Sequence, residues 1–122
     1  MKQQIFTYAK KKYGTSPEYP WRQWPEYAVL RHADNRKWYA ILMNVTKSQL
    51  GLTGGEERMD IMDVKCNPDD GAFLRQQPGF LPGYHMNHQS WLTILLDGTV
   101  PESQVLDLLD ASFRMTEMKK KK

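Results

Sequence analysis

Apolar positions recur along this chain with two different periods, and the switches between them mark its elements. In residues 2–13, Ile5, Ala9 and Lys12 share one helical face with Phe6 and Tyr13 beside it, and Gly14 follows where a left-handed cap would end a helix. Between Thr15 and Pro25, the prolines Pro17, Pro20 and Pro25 forbid a helix, so an extended loop is expected to lay Tyr19, Trp21 and Trp24 over apolar surface. Residues 27–32 alternate as a strand does, Asp34-Asn35 marks a turn, and residues 37–45 (KWYAILMNV) predict a second, well-buried strand. Residues 50–55 hold three glycines and predict a flexible connector, after which residues 59–65 alternate again as a third strand.

Asn67-Pro68-Asp69-Asp70 is a helix start: a cap residue, proline at the first helical position and acids in the first turn. That helix should end before Pro78-Gly79. A strand pair is expected at residues 81–85 and 91–96, closed by Asp97-Gly98. Thr99-Val100-Pro101-Glu102 has capping-box spacing, and Val105, Leu108, Leu109 and Phe113 give the following helix one apolar face. The order is α-β-β-β-α-β-β-α. Hairpin-length connections favour a mainly antiparallel sheet of about five strands with three helices packed on it, a two-layer α+β fold.

Length and charge narrow this further. At 122 residues the chain is long enough for one core and short for two, so residues 1–118 are expected to form a single domain. The longest apolar stretch, residues 91–96, is far below the roughly 20 residues of a membrane crossing, and residues 1–6 carry no secretory h-region. One cysteine, Cys66, excludes an internal disulfide and fits a cytoplasmic setting. The net charge of +3 conceals an asymmetry. Residues 1–47 hold nine Lys or Arg against three acids, residues 48–118 hold four against eleven, and residues 119–122 are all lysine. The terminal run is expected to be a solvated, disordered tail with nonspecific affinity for polyanions, and the basic amino-terminal half is the more informative signal.

Catalytic and metal signatures are sparse. His85 and His88 have HxxH spacing but lack a convincing third ligand, so no metal is expected. Cys66 precedes a helix cap, where a dipole would lower its pKa, yet a small buried residue at a strand end explains it as well. No phosphate loop, dinucleotide fingerprint or nucleophile elbow is present, which argues against an enzyme and against a bound cofactor. The segment from Pro82 to Trp91 (PGYHMNHQSW) packs hydrogen-bonding side chains and two aromatics around a turn, a composition able to stack a base or grip a phosphate, and equally that of two core anchors, Tyr84 and Trp91, with Asn87 capping the turn.

Trp38-Tyr39-Ala40, Val64-Lys65-Cys66-Asn67-Pro68, the string PGFLPGYHMN over residues 78–87, Trp91-Leu92-Thr93-Ile94 with Leu96-Asp97-Gly98, and Leu109-Asp110-Ala111-Ser112-Phe113 together resemble the MmcQ/YjbR family. The resemblance covers nearly the whole chain. It implies a two-layer α+β domain similar to type III secretion chaperones, and a DNA-binding label attached to a "double-wing" arrangement of strands and loops. Members often carry Lys where this chain has His88 and His where it has Ser90, so one fixed positive charge is missing here. A nucleic-acid site would use Arg31, Arg36 and Lys37 on the first hairpin, and Lys65, Arg75, Tyr84, His85, Asn87 and His88 near the second. Two other readings compete. One is a protein-interaction or chaperone-like module, a dimer using Tyr19, Trp21 and Trp24. The other is a small-ligand binder with a pocket near Tyr84, His85 and Trp91.

Overall fold

The elements of the computed structural model, which describes residues 1–117, run α1 (Lys2–Tyr13), β1 (Ala28–Arg31), β2 (Trp38–Thr46), β3 (Arg58–Lys65), α2 (Pro68–Leu74), β4 (Phe80–Pro82), β5 (Trp91–Leu95) and α3 (Glu102–Thr116). This is the expected order. The strands form one antiparallel sheet, β1-β2-β3-β5-β4, so the fold is α+β in two layers. The lysine run at residues 119–122 lies outside the described residues.

Local chemistry sets the helix ends. Gly14 takes φ 69° after α1; its N–H donates to the Lys10 carbonyl at 3.0 Å and the Thr15 N–H to the Ala9 carbonyl at 3.3 Å, as a left-handed cap requires. The Asn67 side chain accepts from the Asp70 N–H at 2.8 Å, with Pro68 at the first helical position of α2. The Thr99 capping box does not form. The cap position falls on Pro101, whose side chain has no acceptor, and the Thr99 N–H donates back to the Asp97 carboxylate at 3.0 Å. Residues 51–55 form the predicted connector as turns and bends, and a 3-10 segment, Ser48–Leu50, precedes them. The Gln49 side chain anchors it by accepting from the Thr46 N–H at 2.8 Å.

Period-two alternation divides the strands between two faces. Leu30, Leu42, Met62, Val64, Leu92 and Ile94 face the helices and close on Ile5, Ala9, Val105 and Leu109. Gly71 of α2 packs on the same layer, where any Cβ would come within 2.9 Å of the Cys66 sulfur. Val29, Ile41, Met43, Val45 and Ile61 point the other way, toward a face where Trp21, Tyr84 and Met86 from loops and Leu50 from the 3-10 segment pack over them.

Two residues of α3 make polar ties, one to the sheet and one to α1. Ser112 inserts where β2 and β3 separate: its hydroxyl donates to the Tyr39 carbonyl at 2.6 Å and accepts from the Lys65 N–H at 2.9 Å. Two strand groups that would otherwise be unpaired in the interior are thereby satisfied. Asp110 collects the hydroxyls of Tyr8 and Tyr13 and the Lys12 ammonium, which locks α1 against α3. Burial alone would raise the Asp110 pKa, but the Tyr13, Tyr8 and Lys12 donors hold the carboxyl below the usual range.

Candidate functional site

Antiparallel pairing carries the sequence-predicted residues to one end of the sheet. Arg31 pairs with Trp38, Lys65 with Trp91, and Pro82 with Leu92, so β1, β3 and β4 finish where β2 and β5 start. Arg31, Arg36, Lys37 and Lys65 all belong to that end, with the 83–90 loop that carries Tyr84, His85, Asn87 and His88. Arg75 joins them from the end of α2, where its guanidinium donates to the His88 carbonyl and fastens the loop. Among the described residues, the non-glycine positions with positive φ are Arg36 (65°) and His85 (61°), both at this end. Such strained positions concentrate at functional sites.

The cations differ in availability. Arg31 lies 3.1 Å from Glu18, not aligned as a hydrogen bond, and covers the Trp38 ring at 5.9 Å. Arg36 stands 4.0 Å from the same carboxylate and is mostly exposed, as is Lys37. Lys65 lines a groove between α2 and α3 with Phe73, Arg114 and Met115. Asn87, His85 and His88 are exposed, and the Asn87 side chain accepts from the Gln89 N–H to hold its turn.

The second hairpin departs from expectation. Residues 81–85 were predicted as a strand, but β4 is only Phe80–Pro82, and Tyr84 and His85 lie in the following loop. Gly83 passes so close to Trp91 that a Cβ there would meet its backbone at 2.9 Å, and His85 then turns left-handed. Tyr84 is thereby folded over the open face of the sheet. With Trp21, Trp24, Tyr27, Trp38 and His85 it lines a groove of about 400 Å³. Trp91, expected in a pocket with Tyr84 and His85, is buried and does not line it. Trp24 stacks on Tyr27 (5.5 Å, 11°) and stays 46% exposed, while Trp21 meets Trp38 edge-on (5.5 Å, 87°). Tyr19, grouped with these tryptophans by the sequence, is 53% exposed and outside the groove lining.

Beneath Tyr84 lies a pair that the sequence reading missed. The Tyr84 N–H donates to the Thr93 hydroxyl at 2.8 Å, which donates to Asp63 Oδ1 at 2.6 Å. Asp63 is fully buried and its Oδ2 has no partner. Burial pushes its carboxyl up to about 7, against the hydrogen bonds from Thr93 and Tyr84. An acid set between the apolar residues Ile61, Met62 and Val64 is the signal the sequence offers.

Cys66 is buried, and burial pushes its thiol up, with Arg75 only partly opposing. The lowered pKa that a helix dipole would supply is therefore absent. Among the described residues no three His, Cys, Asp or Glu side chains gather to hold a metal ion, and no helix is long and apolar enough to cross a membrane.

Comparison with known proteins matches this architecture. The chain is 46% identical over 116 residues to the uncharacterized protein YyaQ of Bacillus subtilis, covering 95% of this chain and 98% of that one. A crystal structure from Pseudomonas syringae superposes with a TM-score of 0.92 at 43% identity, covering 96% of this chain and 99% of that one. A Deinococcus radiodurans protein with a DUF419 domain shares the fold at a TM-score of 0.74 and 24% identity, covering 98% of this chain and 80% of that one. The YjbR family profile matches residues 10–115, and the chain belongs to the YjbR family.

Proposed function

We propose that this is a non-enzymatic binding protein that takes nucleic acid at the end of the sheet where β1, β3 and β4 finish. The observation that carries this reading is the gathering of Arg31, Arg36, Lys37, Lys65 and Arg75, from separate stretches of chain, at that one end. Phosphate contacts dominate such an interface, so affinity falls steeply as salt rises. The buried Cys66, with its thiol pushed up, supports a binding role over nucleophilic catalysis. Glu18 neutralises part of the cluster, so the expected affinity is modest.

Fluorescence anisotropy with labelled random-sequence DNA, at low and moderate salt, tests this on the full chain beside a chain ending at residue 118. Binding by both that weakens with salt supports it. Binding by the full chain alone assigns the affinity to residues 119–122 and overturns it. The double substitution Arg36→Ala with Lys37→Ala should weaken binding across all sequences and flatten the salt slope. Unchanged affinity removes the first hairpin from the interface.

The exposure of Tyr19 and Trp24 favours a second reading, a protein-interaction module that self-associates through these aromatics. A sedimentation coefficient independent of concentration counts against it.

A further inference from the structure

We infer that the aromatic groove on the open face seats an unpaired nucleobase, so that the protein prefers single strands to duplex; this rests on the nucleic-acid reading and names its substrate. The groove has the volume of a small-ligand site, about 400 Å³, and six rings, Trp21, Trp24, Tyr27, Trp38, Tyr84 and His85, line it together with Ile41, Met43 and Met86. Nearly half of Trp24 remains open to solvent although Tyr27 stacks against it, so the indole retains surface for a further flat ring.

Charge decides between occupants. Trp38 is both a wall of the groove and the ring beneath the Arg31 guanidinium, and the chain that leads into it is Arg36-Lys37. An apolar wall that passes directly into cations suits a ligand with a flat ring joined to an anion, which is a nucleotide unit of a strand. Stacking platforms beside a basic track are how single strands are held without sequence preference, because every base presents a π-face. A base inside a duplex is already stacked on both sides and cannot enter a recess. The tight passage of Gly83 at Trp91, the left-handed His85 and the Arg75 tie to His88 fix the loop that brings Tyr84 over the groove.

The test uses the full chain, a labelled twelve-nucleotide oligodeoxythymidine and its duplex with oligodeoxyadenosine, with anisotropy and intrinsic tryptophan emission read together. Three of the four tryptophans line the groove, so a seated base should quench emission. The expected result is single-strand affinity at least about ten-fold above duplex affinity, with quenching by the single strand alone. Trp24→Ala should weaken single-strand binding about ten-fold while leaving duplex binding unchanged, and Tyr84→Ala, separately, should weaken single-strand binding to a similar extent. Circular dichroism confirms that each variant is folded. Equal affinities without quenching, or full single-strand affinity in both folded variants, overturn the groove and leave the cationic end standing. Failure of the full chain to bind either form overturns both readings. An emission shift that grows with protein concentration alone, with a dimer in sedimentation, gives the groove to a second copy and overturns the nucleobase.

Discussion

The two faces of the sheet are covered in opposite ways. The helix face is sealed by α1, α2 and α3 with aliphatic side chains, several of them fully buried, and its main polar insertion, Ser112, satisfies two backbone groups. Among the described residues the other face carries no α-helix. Its residues Val29, Ile41, Met43 and Ile61 are covered by aromatic loop residues that remain partly open to solvent, and it contains a buried carboxylate with an unpartnered oxygen. A face closed by helices supplies stability, while a face closed by loops leaves room for a ligand and tolerates strain.

The sharpest test of that division is a deletion in the sealed face. Leu92→Ala removes a fully buried side chain packed under the helices and should cost about 2–5 kcal/mol in urea unfolding. A cost below about 1 kcal/mol would mean that this face is not the well-packed one.

A pH series probes the other face next. The folded protein holds the Asp63 proton more tightly than the unfolded chain, its pKa rising from 3.8 to about 7. Stability from this group is therefore present below about pH 4, is lost as pH rises toward 7, and stays lost above that. Asp63→Asn keeps the shape and the Thr93 bond, so the difference in unfolding free energy between variant and wild type should change by an amount on the order of 2–4 kcal/mol between pH 4 and pH 8. Parallel stability curves would show that the carboxyl titrates normally.

Ser112→Ala returns to the helix face with a smaller effect. It strands the Tyr39 carbonyl and the Lys65 N–H, at a cost of about 1–3 kcal/mol, and should speed amide exchange of Lys65. Exchange at the wild-type rate would mean that the two strands close without the hydroxyl. Smallest of all, Trp24→Ala on the open face should cost about 1 kcal/mol or less in thermal unfolding, since only its stack on Tyr27 is lost. A larger loss would make the groove wall part of the core.

The sealed face was legible from the chain, and the open face much less so. Val105, Leu109, Ile5 and Ala9 announce themselves by helical spacing, and the β2 and β3 alternation names its own inward side. Arg31, Arg36, Lys37, Lys65, His85 and His88 were selected by type, but only pairing register shows that β1, β3 and β4 finish together. Tyr27 and Trp38 were read as strand residues and emerge as groove walls, because strand periodicity says which side a residue takes and not what a distant loop lays over it. The mistaken strand at residues 81–85 has the same origin. The ladder ends at Pro82, and the close passage of Gly83 against Trp91, a contact across the hairpin, accompanies the chain's exit from it.

By itself, then, the sequence determined the element order, the helix ends at Gly14 and Asn67, the aliphatic core and the family, because each depends on residues close in the chain or on a repeated period. Tertiary structure alone decided that Ser112 bridges two strands, that Asp63 is buried with one oxygen unpaired, and that rings from three separate segments enclose one groove. Contacts of that kind join residues tens of positions apart. Their energies arise from desolvation and packing at a place that exists only once the sheet has formed.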